Sequence, residues 1–431
     1  MKQNDEENTC ITGSSWLYLH PYVYLSIKKE RALLYNTLNH ELLEYSKESP
    51  IFALIQRLGN DNNLYVIKIK TADIDPSIET FINQIREVFI GDIVDTRLST
   101  KKPIQLKPIL NLQKTFQYLT NRDDKPKSLV ADEIPDYLNT VTLYLNNTCP
   151  QSCHMCQDGY KQFLSCHSNP RLPQELSIEH LQTLLQQSQN SKLFKLNLTG
   201  GNLFSYTLLE ETMSLLNQIP VLKEYIFHLL NLQEHATFFD LLREGNNKLA
   251  ILVHFPVSPE ILDQQMTILE NQFIMKQVEI RFILQNEADL EQAEAIISQF
   301  HLQQYRFIPY FNGENLDFFK ERIFLTRERI LGSQPEMNDL LARTVLNTVD
   351  FKKLTVCSDQ TVYGNVNHPP VGILGKDHLM EIVYHALHHG RSWTSVRKHV
   401  TPCKSCAFNA LCPPISNYEY LIGQYNLCHI Y

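Results

Sequence analysis

An α/β architecture is expected: an open, partial (β/α)6 barrel, preceded by a small α+β domain and followed by a cysteine-rich domain. Three observations lead to it. Candidate strands and helices alternate through six units between residues 139 and 326, three cysteines follow the first of those strands, and four more gather between residues 403 and 428.

The first 100 residues set out their own small plan. Residues 22–28 (YVYLSIK) alternate aromatic or aliphatic residues with others, and 32–36 (ALLYN) follow closely, as in a short hairpin. Ser49 and Pro50 open a run with helical apolar spacing at 51–58. Residues 64–69 (LYVIKI) read as a strand, and 76–89 place Ile78, Phe81, Ile82, Ile85, Val88 and Phe89 on one helix face. The plan β, β, helix, strand, helix makes residues 1–100 an α+β domain. Residues 101–138, with KKP, NRDDKPK and DEIP, read as a polar linker.

Within 139–326, strands are expected at 141–145, 195–199, 224–230, 249–255, 278–284 and 305–308. Helices are expected at 177–189, 207–218, 234–244, 259–271 and 287–300. Such alternation requires a parallel sheet with right-handed crossovers. Six units fall short of a closed eight-fold barrel, so the sheet should stay open. Ligands of these sheets bind at the carboxyl ends of the strands. Cys149, Cys153 and Cys156 follow the first strand and Thr199-Gly200-Gly201-Asn202 ends the second, so both should open onto one mouth. The run 309–319 (PYFNGENLDFF) follows the last strand, either closing over a ligand or forming a packed turn. From 327 to 431 the alternation stops, leaving a hairpin (354–356 and 361–364) with Cys357 at its bend, a helix at 378–389, and Cys403, Cys406, Cys412 and Cys428.

Composition narrows the function. The 431 residues are 43% hydrophobic with a formal net charge of −8, which fits a folded protein and argues against a general nucleic-acid partner. The start, MKQNDEENTCITGSS, lacks the apolar core of a signal peptide, and no apolar run is long enough to span a bilayer. A cytoplasmic location without a membrane partner is expected. In that reducing compartment clustered cysteines read as metal sites rather than disulfides. Cys10 and Cys166, which stand alone, read as ordinary thiols.

The spacing Cys-x-x-x-Cys-x-x-Cys can hold three irons of a 4Fe–4S cluster and leave the fourth open to a small molecule. A zinc site completed by His154 or His167 is the alternative. Cys403, Cys406, Cys412 and Cys428 could bind one closed cluster or a zinc ribbon, with Cys357 a possible fifth thiol. Two weaker features have plain structural readings. His388 and His389 lie where a helix carboxyl end is capped. Arg281 either reaches a cofactor carboxylate or pairs with an acidic neighbour.

The cysteine loop after the first strand, with LTGGN at 198–202 after the second, resembles the radical S-adenosylmethionine superfamily. The resemblance implies that the methionyl group of S-adenosylmethionine chelates the open iron of the 4Fe–4S cluster. It also implies an external electron donor and a 5′-deoxyadenosyl radical that abstracts hydrogen from substrate. Met155, Thr199, Gly200, Gly201 and Asn202 become cofactor-binding candidates; no catalytic residue is singled out. Two positions depart from the superfamily pattern: Asn202 replaces a glutamate that accepts from the cofactor amine, and Met155 replaces an aromatic residue.

The terminal cysteines resemble the SPASM domain of peptide-modifying radical enzymes, which implies at least one auxiliary 4Fe–4S cluster. Ser416 stands where that pattern has a further cysteine, and no cysteine follows Gly364 at the distance that pattern has. Residues 1–100 look like a RiPP recognition element, a winged-helix-like domain that binds leader peptides, although a scaffold domain is the alternative. The whole chain, including WLYLHPYVYL and the tail from Cys403 to Cys428, looks like a peptide maturase of the GG-Bacteroidales type. The resemblance implies a ribosomally synthesised precursor peptide as partner and a crosslink or other oxidative modification. The alternative is a cluster-bearing partner protein that presents the peptide to another maturase.

Overall fold

The parallel sheet grows from six short strands, each ending in a turn that launches a helix. The computed structural model describes residues 13–104 and 134–430, except 152, 170, 171 and 273. Cys10 and most of the 101–138 linker lie outside the described residues. The chain folds as two compact units, one of residues 1–115, 326–345 and 396–414, the other of 116–325, 346–395 and 415–431.

In the first unit, β2 (Val23–Ile27), β3 (Arg31–Asn36) and β4 (Leu42–Ser46) form an antiparallel sheet in that order. A second sheet places β1 (Ser14–Leu19) between β5 (Val66–Lys70) and β6 (Gly91–Asp95), antiparallel to both. The helix Phe52–Gly59 buries Phe52, Leu54, Ile55 and Leu58. The helix Pro76–Glu87 starts on the Asp75 carboxylate, which accepts from the Ile78 N–H, and buries Phe81, Ile82 and Ile85 in the same core. The hairpin, both helices and β5 follow the sequence pattern, whereas β1, β4 and β6 do not. Strand β6 reads GDIVD, and its Asp92 pairs with Arg86 at 2.5 Å, so charge on the exposed edge hides the strand.

Residues 326–345 and 396–414 complete this unit. The helix Met337–Arg343 packs against β2. Arg327 pairs with Glu44 at 2.8 Å and stacks over Phe408, while the Arg343 guanidinium donates to the Leu411 carbonyl at 2.8 Å. The stretch 327–431, expected as one appended domain, thus contributes to both units.

The second unit holds a nine-stranded sheet in the order β12-β11-β10-β9-β8-β7-β13-β14-β15. Strands β7 (Thr140–Tyr144), β8 (Lys195–Thr199), β9 (Leu222–His228), β10 (Asn247–His254), β11 (Val278–Leu284) and β12 (Tyr305–Pro309) are parallel. Crossover helices Ile178–Ser188, Leu209–Asn217, Ala236–Glu244, Pro259–Asn271 and Glu287–Gln299 lie at the five expected places. Ser177, Ser258 and Asn286 cap three of them with side-chain oxygens. The hairpin of β13 (Lys353–Val356) and β14 (Thr361–Tyr363) does not stand apart. Strand β13 pairs parallel to β7, so β7 is flanked by β8 and β13 and the sheet stays open. A two-residue strand, β15 (Gly372–Ile373), ends the sheet. Among the described residues no helix is long and apolar enough to cross a membrane.

Alternation divides the two faces. On β9, Phe227 packs edge-on against Phe238 of its crossover helix, while Glu224, Ile226 and His228 share the opposite face. On that inner face Arg281 is 5% exposed and donates to Glu224 and Glu279, both at 2.5 Å. Lys195 reaches Glu224 at 2.8 Å and Arg306 reaches Glu279 at 3.0 Å. Arg281 therefore pairs with acidic neighbours, turned toward the amino-terminal ends of the strands. Burial raises the Glu224 carboxyl pKa, but Arg281 and Lys195 outweigh it and hold the group below its ordinary value. Its stabilising contribution is complete above pH 4.5 and is lost as pH falls through the depressed value. We expect Arg281→Met to cost about 3 kcal/mol at neutral pH, by leaving a buried carboxylate underpaired. Denaturation should show that deficit shrinking as acid protonates Glu224.

Candidate functional site

Strand β7 is buried along its whole length, and the chain leaves it through Leu145, Asn146 and Asn147, also buried. Next to it, β8 ends at Thr199 and turns through Gly200 and Gly201. Asn146, fully buried, joins the two loops. Its Oδ1 accepts from the Gly201 N–H at 2.9 Å and its Nδ2 donates to the Asn202 carbonyl at 2.8 Å. The Asn202 N–H donates to the Thr148 carbonyl at 2.7 Å, one residue before Cys149.

This lacing accounts for the glycines. A Cβ on Gly200 would lie 2.3 Å from Asn146 Oδ1, and one on Gly201 2.3 Å from the Thr148 carbonyl oxygen. The close approach they permit is between the turn and the cysteine loop itself. Asn202 is used locally too: its Oδ1 accepts from the Phe204 N–H at 3.1 Å, capping the turn Leu203–Ser205. A carbonyl oxygen has a second lone pair, so one acceptor site remains on that amide.

The cysteine loop crosses the inner face. Met155 is 1% exposed and packs with Cys166, Ile226, Ala250, Leu252, Ile283 and Tyr310. After a short turn at His154–Gln157, the segment to Gln162 is tied to the end of β12. Gln162 donates to the Phe311 carbonyl and accepts from the Phe311 N–H, both at 2.8 Å, and Tyr310 donates to Asp158 at 2.7 Å. Residues 309–315 are held as a packed turn ahead of the helix Leu316–Arg322: Asn315 Nδ2 donates to the carbonyls of Gln285 and Tyr310.

The three thiols are brought to one place. Asn231, in the turn Leu229–Asn231 after β9, donates from Nδ2 to Cys149 Sγ at 3.4 Å. Cys156 accepts from the thiols of Cys153 and Cys166, which lowers its own pKa and raises theirs. Cys166, read from the sequence as an ordinary thiol, is thus the fourth sulfur of the group, fully buried beside Cys156. His154 is exposed, and His167 uses Nδ1 on the Cys156 carbonyl at 2.9 Å while stacking on Tyr160. Three converging thiols with an amide N–H donated to one sulfur fit the donor set of an iron–sulfur cluster. Among the described residues no group of three or more His, Cys, Asp or Glu side chains is placed to hold a metal ion as it stands.

The other cysteines lie elsewhere. Cys357 follows β13, whose Val356 is level with Leu143 of β7, so it sits at the same end of the sheet as the cysteine loop. Burial, reinforced by Asp359, pushes its thiol up to about 12. Cys403, Cys406 and Cys412 are buried in the first unit, where Arg397 lies 3.7 Å from Cys403 Sγ. Cys428 belongs to the second unit. His388 stacks on Tyr384 at 4.2 Å, and His389 ends its helix with its N–H on the His385 carbonyl.

Two histidines went unnoticed in the sequence. His228 and His254 are the last residues of β9 and β10, two positions beyond Ile226 and Leu252 on the inner face. Their rings meet edge to face at 5.2 Å. Burial, reinforced by His254, lowers the His228 pKa to about 4, so the ring is neutral at pH 7. Their signal was a histidine closing each of two adjacent apolar strands.

No family model matches this chain, and no curated protein does. Among solved structures it is similar to Streptococcus suis SuiB bound to its precursor peptide SuiA, at 12% identity over 96% of this chain and 100% of that one, with a TM-score of 0.50. SuiB bound to S-adenosylmethionine aligns at 12% identity over 95% and 97% of the two chains, with a TM-score of 0.48. The AdoMet-bound anSMEcpe aligns at 13% identity over 64% and 84%, with a TM-score of 0.43. At such identity the likeness to SuiB is one of fold: a mixed α/β chain with a large parallel sheet.

The lacing through Asn146 is testable. Asn146→Ala should destabilise the protein by about 2 kcal/mol, as the buried Gly201 N–H and the part-buried Asn202 carbonyl lose their side-chain partner. Asn146→Asp should do at least as much damage, since it sets a carboxylate against that carbonyl. Chemical denaturation of both variants checks this.

Proposed function

We propose that this chain is a radical S-adenosylmethionine enzyme that modifies a ribosomally synthesised precursor peptide. The observation that carries the reading is the loop of Cys149, Cys153 and Cys156 after β7, laced to the Gly200-Gly201 turn after β8. In this reading the three thiolates hold a 4Fe–4S cluster whose open iron takes S-adenosylmethionine, supplying on one-electron reduction a carbon radical able to abstract hydrogen. The protein's part is positional. Asn146 fixes the two loops, Asn231 holds Cys149, and Met155 with its apolar neighbours keeps water from the inner face. Thr199, Gly200, Gly201 and Asn202 line the cofactor's methionyl end.

Cys403, Cys406 and Cys412 of the first unit are assigned to an auxiliary cluster of a SPASM-like domain in the same reading, and Cys428 and Cys357 are its further candidate ligands. The cationic Arg397 lies beside Cys403 Sγ in that group. The leader peptide is assigned to residues 1–100. The outer strands β2 and β4 each pair on one side within their sheet, and an extended peptide can add by backbone hydrogen bonds. The SuiB structure that resembles this chain was solved with its precursor peptide. The bond made is assigned to the oxidative class, and the maturase to the GG-Bacteroidales type on its tail motif. A second reading, a cluster-bearing partner that presents the peptide to another maturase, is favoured by one observation: Asn202 carries no charge and already caps Phe204.

Anaerobically reconstituted protein should carry about eight irons, two clusters' worth. Changing Cys149, Cys153 and Cys156 to Ala should remove about half of them and all 5′-deoxyadenosine release. Unchanged iron content would sink the proposal, and iron-loaded wild type that never releases 5′-deoxyadenosine would favour the second reading. Asn202→Asp keeps the cap on Phe204 and restores a carboxylate. It should tighten S-adenosylmethionine binding by up to about tenfold, because charge-assisted hydrogen bonds are the stronger kind. Calorimetric titration reads the change.

A further inference from the structure

His228 has a hydrogen-bond donor with nothing to receive it. Its Nδ1 accepts from the Leu230 N–H at 3.2 Å, which places the proton of the neutral ring on Nε2. The residue is 3% exposed, and among the described residues Nε2 has no hydrogen-bond partner. A buried donor left in this state costs about 1–3 kcal/mol, so it calls for an acceptor from outside the chain.

The position says which acceptor. His228 caps the turn Leu229–Asn231, and the third residue of that turn donates to Cys149 Sγ. By strand parity it shares the inner face with Ile226, which packs with Met155 and Cys166. His254 braces it edge-on from β10. The cation at this level, Arg281, is spent on Glu224 and Glu279. His228 is therefore a donor at the mouth end of the inner face, beside the thiol loop, with no acceptor of its own.

We infer that His228 Nε2–H is a positioning donor for an acceptor oxygen of the bound sulfonium cofactor, either its carboxylate or a ribose hydroxyl. This rests on the proposed cofactor. His228 orients that ligand, and His254 holds the imidazole plane.

The test uses full-length, iron-reconstituted protein and S-adenosylmethionine binding by calorimetry. His228→Phe keeps a ring against His254 but removes the donor, and should weaken binding tenfold or more. His228→Gln keeps an N–H near the Nε2 position and should stay within threefold of wild type. Without ligand, His228→Phe removes the unsatisfied Nε2 donor but also the Nδ1 acceptor of the Leu230 N–H, so the two effects offset and the melting temperature should change little. A merely structural histidine would show the reverse, a lower melting temperature and unchanged affinity, and that result overturns the inference. Competition by methionine and by 5′-deoxyadenosine distinguishes the two acceptors: the fragment whose binding falls in His228→Phe carries the oxygen. If neither falls, the inference fails. Wild type that loads iron but binds no S-adenosylmethionine would instead overturn the cofactor reading on which it rests.

Discussion

The contact between the loop after β7 and the turn after β8 is the constraint on which the site depends. One buried amide, Asn146, uses both ends of its side chain to hold backbone groups of Gly201 and Asn202. The glycines allow that contact because any Cβ would collide with Asn146 or Thr148. Cys149 follows Thr148 directly, so the thiol loop takes its place from the turn of the neighbouring strand. A chain with the same cysteine spacing but bulkier turn residues would lose the register between the two loops.

On the inner face of the sheet, Lys195, Glu224, Glu279, Arg281 and Arg306 neutralise one another. Beside them in the register, Ile226, Ala250, Leu252 and Ile283 pack with Met155, Cys166 and Tyr310. At the carboxyl ends stand the thiols and two neutral histidines. Charge on this face is thus compensated within its own network, and the Nε2 donor of His228 is left unspent.

The six parallel strands and their helices were legible because apolar runs bounded by polar turns and caps leave few other pairings. Strands β1, β4 and β6 were not, since half-exposed strands carrying Asp, Glu and Ser look like loops. The cysteine spacing and the Gly-Gly turn were readable as a site, and the structure places both at the same strand ends. What the sequence did not disclose depends on three-dimensional neighbours. Cys166 lies ten residues beyond Cys156 yet meets it. His228 and His254 gain meaning only when β9 and β10 are adjacent. The glycines face Thr148 and Asn146, where the sequence alone pointed to a ligand. The union of 326–345 and 396–414 with the first unit rests on Arg327 and Arg343 reaching residues far away in the chain.

The central claim is that three thiols hold a cluster with one position open to S-adenosylmethionine. The most direct measurement is electron paramagnetic resonance of the reduced, reconstituted protein before and after the cofactor is added. The account predicts that the signal assigned to Cys149, Cys153 and Cys156 shifts on addition, while that of the auxiliary cluster does not. A spectrum unchanged by saturating cofactor, with the first cluster fully present, would contradict it.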